Sequence, residues 1–475
     1  MPENLTRREF LKDLGLLGAG ITMTPPVTAA SIAAPDLWND SWKPGSNARP
    51  GWVKTVDKPT TEINWDEMKR YDARETSQSQ EKYHSAEELK RLRDRDAELT
   101  KKHMLENRPG YTLKDQALTA AARLRLAQAK YAGMEARFVG PTDALTPEQR
   151  GVPKFTASPE EAARVVAAAA RFLGAAMVGF VELDPKTTQK LVYTHDDDGK
   201  QIEFADVERA EETKDKRIIP NKCRYAIVYA VQMSEEMLRL APTPLANATT
   251  FTAYEFGENI QTRLQGFLRG LGYQGPGENK RGSLGSTGGF AVMAGLGEQS
   301  RLNRIVTPEY GPTVRIFKMF TDLPLAPTKP INAGILQFCK TCKKCAVVCP
   351  SKALSMDDEP SWKVKGAWSN PGHKEWFEDA VKCRDYWYEV SQTGCSLCFA
   401  VCPYASKDQA LIHQITKAAI AAAPMFNDAF STLEEMAYGS VDSSGKPLKD
   451  PATWWNLDLP EFGIDTSRAK RDRGG

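Results

Sequence analysis

The sequence lacks an excess of charge of either sign. Its 475 residues include 63 Lys and Arg against 61 Asp and Glu, which leaves a formal net charge of +2. Proteins that bind nucleic acid usually carry a positive field that attracts the phosphates. This chain has no such field, and we therefore expect no nucleic acid among its partners.

The signatures of several enzyme classes are also missing. None of the five histidines stands in an H-E-x-x-H motif, and neither a P-loop nor a G-x-S-x-G elbow occurs. One G-x-G-x-x-G is present, at Gly270, Gly272 and Gly275. It follows a helical pattern rather than a strand, so it predicts a helix C-cap and a turn instead of a dinucleotide site.

Long apolar runs are absent as well. The weakly apolar stretch 14–23 is about half of the roughly twenty residues that span a bilayer, and after residue 34 no run of 18 residues is free of charge. Arg7 and Arg8 precede Phe10, Leu11 and Lys12. The pattern predicts a cleavable export signal over residues 1–34, of the twin-arginine type used for proteins already folded around a cofactor. The alternative is a basic N-terminal helix of a cytoplasmic protein.

The rest of the composition is that of an ordinary globular protein, with 41% hydrophobic and 26% charged residues. At this length we expect about three structural units. They are a helical and loop unit over 35–150, an α/β unit over 151–330 and a cysteine-containing unit over 331–410, followed by a helical and loop extension over 411–475 in which a helix is predicted at 407–422.

Helices and strands alternate in the α/β unit. Ser158 and Glu161 form a capping box that predicts a helix ending at Phe172. Segment 184–216 is charged and is expected to be a solvent-exposed insertion. The alternation predicts a sheet covered by helices. The other predicted elements are buried strands at 176–183 and 225–233, an extended segment at 314–321 and an amphipathic helix at 254–271.

Cysteine is scarce outside one segment. Eight of the nine cysteines lie between Cys339 and Cys402, and the ninth, Cys223, is expected to be a core thiol in a strand. The first four spell C-x2-C-x2-C-x3-C before Pro350, the ligand run of bacterial two-cluster ferredoxins. The second four spell C-x11-C-x2-C-x3-C before Pro403.

In such ferredoxins the fourth cysteine of each run binds the other cluster. The sequence therefore predicts two [4Fe-4S] clusters with crossed ligand sets. Zinc sites usually show two C-x2-C pairs instead, and export of a folded protein argues against disulfides. The predicted sets are Cys339, Cys342, Cys345 and Cys402 for the first cluster, and Cys349, Cys383, Cys395 and Cys398 for the second.

Taken in order, these features resemble the respiratory reductive dehalogenases. The resemblance is carried by the signal at 7–12, by the segments 294–298, 307–311 and 321–324, and by the two cysteine runs. It implies an α/β (α+β) fold, with a nitroreductase-like corrinoid-binding domain at 151–330 followed by a bacterial two-[4Fe-4S] ferredoxin-like domain at 331–410. It also implies a base-off cobamide with no protein histidine on cobalt. The D-x-H-x-x-G motif of other corrinoid enzymes is absent, because Tyr193 stands two positions before His195.

The resemblance also implies catalytic residues. Tyr254 matches the family's proton donor and Arg315 matches the arginine that supports it, while Asn279 is the candidate for a neighbouring asparagine. A guanidinium beside a tyrosine would stabilise the phenolate that remains after proton transfer. The implied corrinoid contacts are Gly295, Leu296, Gly297, Thr307 and Glu309.

The activity implied is reductive dehalogenation, in which an organohalide takes two electrons and a proton and releases halide. The resemblance further implies a small hydrophobic membrane-anchor protein, a membrane electron donor, and a peripheral position on the outer face of the cytoplasmic membrane. Two alternatives remain at this stage. One is an epoxyqueuosine-reductase-like corrinoid enzyme, and the other is an iron–sulfur electron-transfer subunit without a catalytic site.

Overall fold

The computed structural model describes residues 49, 52–122, 137–279, 282–390, 394–405, 443–457 and 463. The signal expected at 1–34 and the helix expected at 407–422 lie outside these residues. Within the described part, no helix is long and apolar enough to cross a bilayer.

The described residues form a mixed α/β structure. Its strands are β1 (Lys54–Thr55), β2 (Met177–Glu182), β3 (Gln201–Ala205), β4 (Glu211–Glu212), β5 (Lys216–Pro220), β6 (Tyr225–Gln232), β7 (Glu298–Gln299), β8 (Ile305–Val306), β9 (Val314–Thr321) and β10 (Ile331–Asn332). Its helices are α1 (Gln80–Tyr83), α2 (Ala86–Leu105), α3 (Leu113–Ala122), α4 (Pro159–Phe172), α5 (Glu235–Leu238), α6 (Pro244–Leu271), α7 (Thr287–Met293), α8 (Ile335–Cys342), α9 (Lys344–Val348), α10 (Ala380–Glu389) and α11 (Leu397–Ala400).

A three-stranded antiparallel sheet in the order β2–β6–β9 lies at the centre of the fold. Helices α4 and α6 pack on one face, where Phe317 of β9 and Leu264 of α6 belong to the same buried cluster. Helix α7 packs on the other face, where Phe290 meets Phe320 at 5.8 Å between ring centres. The predicted α/β class, with helices covering a sheet, is thereby confirmed.

Helix α6 is longer than the sequence analysis predicted. It begins at Pro244 rather than at residue 254, because the Thr243 hydroxyl caps it by accepting a hydrogen bond from the Ala246 N–H. It ends at Gly272, whose φ of +92° closes the helix, so the predicted C-cap is confirmed. Gly257 lets α6 approach the sheet, since a Cβ there would lie 2.0 Å from the Phe317 ring.

The expectation of a solvent-exposed insertion at 184–216 is wrong for part of this segment, although residues 184–186, 197–199 and 213–215 are exposed. Strand β3 of this segment pairs in parallel with β5, and Leu191, Val192 and Ile202 are buried in the core. The prediction from charge failed there because Asp196 and Asp198, in the acidic turn 196–198, pair with Arg217, which is itself buried. Cys223 is buried as expected, although it lies just before β6 rather than within a strand.

Candidate functional site

A cavity of about 520 Å³ opens beside one end of the central sheet. Its walls come from parts of the chain that are far apart in sequence. They include helices α6 and α7, strand β9, the start of α10, helix α11, and the segments 61–78 and 368–378. The volume lies in the range of small-molecule sites.

Tyr254 and Arg315 lie together on this wall. Arg315 stands opposite Val231 in the β6–β9 register, which directs it towards helix α6. Its guanidinium carbon is 5.3 Å from the centre of the Tyr254 ring and 5.4 Å from that of Phe399, and Nη2 donates to Thr250 Oγ1 at 3.2 Å. The structure therefore places a cation against a cavity tyrosine, within the distance at which cation–π attraction operates.

The structure does not bring Asn279 into this pair. Its side-chain amide donates to Asp198 at 3.4 Å, and its backbone N–H donates to Ser283 Oγ at 3.0 Å. The nearby residues Gly282 and Ser283 are among the described residues that line the cavity, and Asn279 is not. The catalytic role of Asn279 stays a prediction.

The residues expected to contact a corrinoid are not among the described residues that line the cavity. Leu296 is fully buried, the Thr307 hydroxyl donates to the Gly311 carbonyl at 3.1 Å, and Glu309 pairs with Arg49 at 3.0 Å. Their described contacts are to protein, and their assignment as cofactor contacts stays a prediction. The set is Gly295, Leu296, Gly297, Thr307 and Glu309.

Sequence analysis missed the wall built by residues 368–378, between the two cysteine runs. His373 forms a β-bridge with Ile63, and its Nε2 lies 2.7 Å from Glu375 Oε2. Trp368 packs edge-on against Tyr83 at 5.4 Å between ring centres. The available signal was the length of the segment between Cys349 and Cys383, because a ferredoxin alone would not need these extra residues.

Sequence analysis also missed a buried ion-pair network behind the cavity. Arg217 contacts Asp196 at 2.7 Å, Asp198 at 2.5 Å and Glu212 at 2.9 Å. Asp196 also accepts a hydrogen bond from the Leu284 N–H at 3.0 Å, and it lines the cavity together with Asp197. Burial raises the pKa of Asp196 to about 6, against the opposing effect of Arg217.

Replacing Arg217 with Met is expected to lower the free energy of unfolding by about 3–5 kcal/mol, because it leaves the Asp196 carboxylate buried without its partner. The matched control is Lys216→Met on the same strand, whose partly exposed pair with Glu203 should be worth at most about 1 kcal/mol. Chemical denaturation of both holoproteins measures the difference. Equal losses would contradict the buried network.

A second buried pair joins Glu278 to Lys318 at 2.6 Å, and Lys318 also donates to Thr287 on the cavity wall at 3.0 Å. Burial raises the pKa of Glu278 to about 7, although Lys318 opposes this effect. An ordinary glutamate has a pKa of 4.5. Between these values the folded chain holds a proton that the unfolded chain has released.

The contribution of Glu278 to stability should therefore fall as the pH rises from about 4.5 to about 7, and should stay constant above that. The measurement is the free energy of unfolding against pH for the unaltered protein and for Glu278→Gln. The gap between the two curves should narrow, or reverse in favour of the variant, over this interval. A constant gap would contradict the assignment.

The cysteines of the first run lie around tight turns. Cys339 and Cys342 lie on α8 and Cys345 on α9, and Lys343 joins the helices with a φ of +48°. Ser396, with a φ of +58°, makes a similar turn between Cys395 and helix α11. All nine cysteines are free of disulfides.

The thiols form two neighbouring groups. Cys402 interacts electrostatically with Cys339 and Cys345 of the first run. Cys349 does so with the thiols of the second run, namely Cys383, Cys395 and Cys398. Cys345 also interacts with Cys398, across the two groups. The interactions of Cys402 and Cys349 are those that crossed ligand sets require, and ligation itself stays a prediction.

The surroundings of the thiols suit a cluster. Phe338 and Leu354 are buried among them, and burial raises the pKa of the Cys383 thiol to about 12. Thiolates in such a site need positive charge, which iron supplies on binding. No group of three His, Cys, Asp or Glu in the described residues is placed to hold a single metal ion. A cluster differs, because cysteines bind it at separate irons.

Two family models match the chain. Residues 48–325 match the reductive dehalogenase subunit, and residues 338–405 match a 4Fe-4S double cluster binding domain. The first match covers more than half of the chain, and the chain belongs to the reductive dehalogenase family.

Individual relatives are similar over part of their length. The chain is 36% identical over 326 residues to a tetrachloroethene reductive dehalogenase of Sulfurospirillum multivorans, covering 66% of this chain and 62% of that protein. It is 30% identical over 348 residues to a trichloroethene reductive dehalogenase of Dehalococcoides mccartyi, covering 65% and 59%. The chain thus spans about three fifths of the length of both relatives.

A solved structure shares the fold. The catabolic reductive dehalogenase NpRdhA superposes with a TM-score of 0.59 at 22% sequence identity, over 86% of this chain and 52% of that one. At this identity the likeness concerns the fold alone.

Proposed function

We propose that this chain is a reductive dehalogenase that catalyses R–X + 2 e⁻ + H⁺ → R–H + X⁻ on a small organohalide. The observation that carries the proposal is the placement of Tyr254 and Arg315 on one cavity wall, together with Phe399, which directly follows Cys398. A proton donor and an electron carrier then meet at the same cavity. Family membership and the double-cluster domain support the assignment.

In this reaction Tyr254 delivers the proton to the substrate carbon. Arg315 lies against its ring and is held by Thr250 and Phe399, so its charge stays beside the phenolate that forms. Apolar cavity residues such as Ile316 and Val314 exclude water from the reacting carbon.

We propose a cobamide as the resident cofactor, in a domain of nitroreductase-like fold. When bound, it would supply a cobalt centre able to break a carbon–halogen bond. Thr287, Gly288, Ser369 and Asn370 on the cavity wall suit the amide groups that fringe a corrin ring. At Gly288 an added Cβ would lie no closer than 3.7 Å to any protein atom. Protein packing therefore does not require glycine at this position, and its small size leaves room in the cavity for the cofactor.

The cobamide is proposed to bind base-off, with no protein histidine on cobalt. Among the described residues that line the cavity, the single histidine is His373, and Glu375 engages its Nε2 at 2.7 Å. His195 lies elsewhere, with Nδ1 3.6 Å from Asp72. The electron paramagnetic resonance (EPR) spectrum of the cobalt should therefore show no splitting from a coordinating nitrogen.

The two clusters have different places in the proposed electron path. Phe399 and Ala380 on the cavity wall belong to the helices that carry Cys398 and Cys383, so the second cluster is the inner one. The first cluster, with Cys339 and Cys342, is the outer one and receives electrons from the donor.

We further propose export by the twin-arginine route and a peripheral position on the outer face of the cytoplasmic membrane. The support is the Arg7–Arg8 pattern with Phe10, Leu11 and Lys12. A small hydrophobic anchor protein and a membrane electron donor complete the assembly. Cell fractionation with protease accessibility of intact spheroplasts tests this location.

Metal analysis separates the enzyme from an electron-transfer subunit without a catalytic site. The purified holoprotein should contain about one cobalt and about eight irons per chain, as two [4Fe-4S] clusters and one corrinoid require. About eight irons with no cobalt, and no cobamide uptake on reconstitution, would favour the electron carrier.

The alternative enzyme is an epoxyqueuosine-reductase-like protein that acts on tRNA. The near-neutral charge of the chain opposes it, since tRNA binding needs a basic surface. A gel-shift assay with bulk tRNA should show no binding at physiological salt. Retention of tRNA, together with an absence of halide release, would revive this alternative.

A further inference from the structure

Arg304 lies between the cavity and the second group of thiols. Its side chain lines the cavity and is about half exposed there, at 48%. Its Nη2 is 2.7 Å from Glu378 Oε1, and the Glu378 side chain is only 8% exposed. The Glu378 N–H donates to Asn303 Oδ1 at 3.1 Å, so backbone and side chain together fix the ion pair.

The pair is in reach of two cysteines of the second set. Glu378 is next to Asp379, which caps helix α10, and this helix carries Cys383. Arg304 interacts electrostatically with Cys383 and Cys398, and Glu378 with Cys383. The Glu378 carboxylate raises the pKa of Arg304 further above its already high ordinary value, so the guanidinium keeps its charge.

The first set of cysteines has a different neighbour. Arg301 donates to the carbonyls of Cys339 and Lys340 and lies over the Trp376 ring at 4.6 Å. It is fully buried and serves as a structural cross-link. Arg304 makes one described hydrogen bond to a carbonyl, that of Asn303. Replacing Arg304 therefore removes fewer hydrogen bonds to the backbone than replacing Arg301 would.

Charges beside an iron–sulfur cluster change its reduction potential. Reduction adds an electron, which a nearby cation stabilises and a nearby anion opposes. We propose that Arg304 and Glu378 set the reduction potential of the inner cluster, Arg304 raising it and Glu378 lowering it, and so adjust electron delivery to the cavity. The inference rests on the cluster assignment proposed above.

The experiment is an EPR-monitored redox titration of the holoprotein and of Arg304→Gln and Glu378→Gln. We expect the inner cluster to become harder to reduce in Arg304→Gln and easier in Glu378→Gln, each by about tenfold in the reduction equilibrium, or 59 mV for one electron. The outer cluster should not shift. Arg304→Lys keeps the charge and should stay close to the unaltered protein.

The control is Arg224→Gln. Arg224 pairs with Glu182 at 2.6 Å, next to the end of β6 that lies away from Arg315, and its loss should move neither potential. Iron content confirms that each variant keeps both clusters.

Shifts in the same direction in the two variants, or no shift in either, would overturn the inference. If Arg304→Gln loses its inner cluster, the test rests on Glu378→Gln and Arg304→Lys. An unchanged reduction potential of the inner cluster in Glu378→Gln would then be enough to overturn the inference. If the unaltered protein shows no pair of clusters, the cluster assignment itself fails instead.

Discussion

Replacing Cys398 with serine is expected to abolish halide release while leaving the other cluster in place. Cys398 lies in the thiol group nearest the cavity, and its helix also carries Phe399 on the cavity wall. Loss of one thiolate should remove the inner cluster, and the iron content should fall from about eight to about four per chain. Iron analysis and EPR of the reduced protein measure this.

The crossed ligand sets make this prediction sharper. Cys402→Ala should remove the same EPR signal as Cys339→Ala, although the two residues are far apart in sequence, and Cys349→Ala should remove the other signal. Cys223→Ser is the control, since this buried thiol lies apart from both groups and should leave the irons unchanged. If Cys402→Ala instead removed the EPR signal that is lost in Cys398→Ser, each cysteine run would hold its own cluster.

Replacing Tyr254 with Phe is expected to reduce the rate of halide release by about 10²–10⁴-fold, the usual contribution of a positioned general acid. The phenol proton is lost, while the ring, its edge contact with Phe317 and its contact with Arg315 can remain. Cobalt and iron contents should not change. Steady-state halide release with a reduced viologen measures the effect.

Tyr193→Phe is the matched control for this change. Tyr193 lines the same cavity, but burial and the neighbouring Asp196 and Glu278 carboxylates raise the pKa of its phenol. It is a poor proton donor, and its replacement should cost much less activity than that of Tyr254. Full activity in Tyr254→Phe, or equal losses in the two variants, would contradict the role of Tyr254.

The turns around the cysteines could be predicted because the spacing within each run is local information, whereas ligation by the two sets stays a prediction. Spacings of two and three residues wrap a loop around a cluster, and the turns at Lys343 and Ser396 lie where those spacings need them. Strands β2 and β6 were also visible as short apolar runs, and β9 as an extended segment. The predicted start of helix α6, at residue 254, was too late, because the prediction did not use the N-cap Thr243 and the first helical residue Pro244.

The cavity could not be predicted, because segments distant in sequence build it. His373 reaches the wall through pairing with Ile63, and Arg304 reaches the thiols through Glu378. No periodicity encodes such contacts. Tyr254 and Arg315 were named from family resemblance, and the structure places their side chains together.

Charge patterning gave the wrong environment for part of segment 184–216, namely the residues that are buried in the core. A run of acidic residues usually marks a solvated face. Here the buried Arg217 on β5 neutralises the acidic turn, and the paired strands carry Ile202 and Ile219 into the core. The pairing of Arg217 with Asp196 thus explains why this acidic side chain is buried and not exposed as expected.

Halide release tests the account most directly. The purified, cobamide-loaded protein is mixed with reduced viologen and a panel of chlorinated and brominated alkenes, alkanes and aromatics, and halide is measured against viologen oxidised. Two viologen electrons should be consumed for each halide released, and the rate should collapse in Tyr254→Phe. Viologen oxidation without halide from any substrate, in protein with full cobalt and iron, would contradict the proposed reaction.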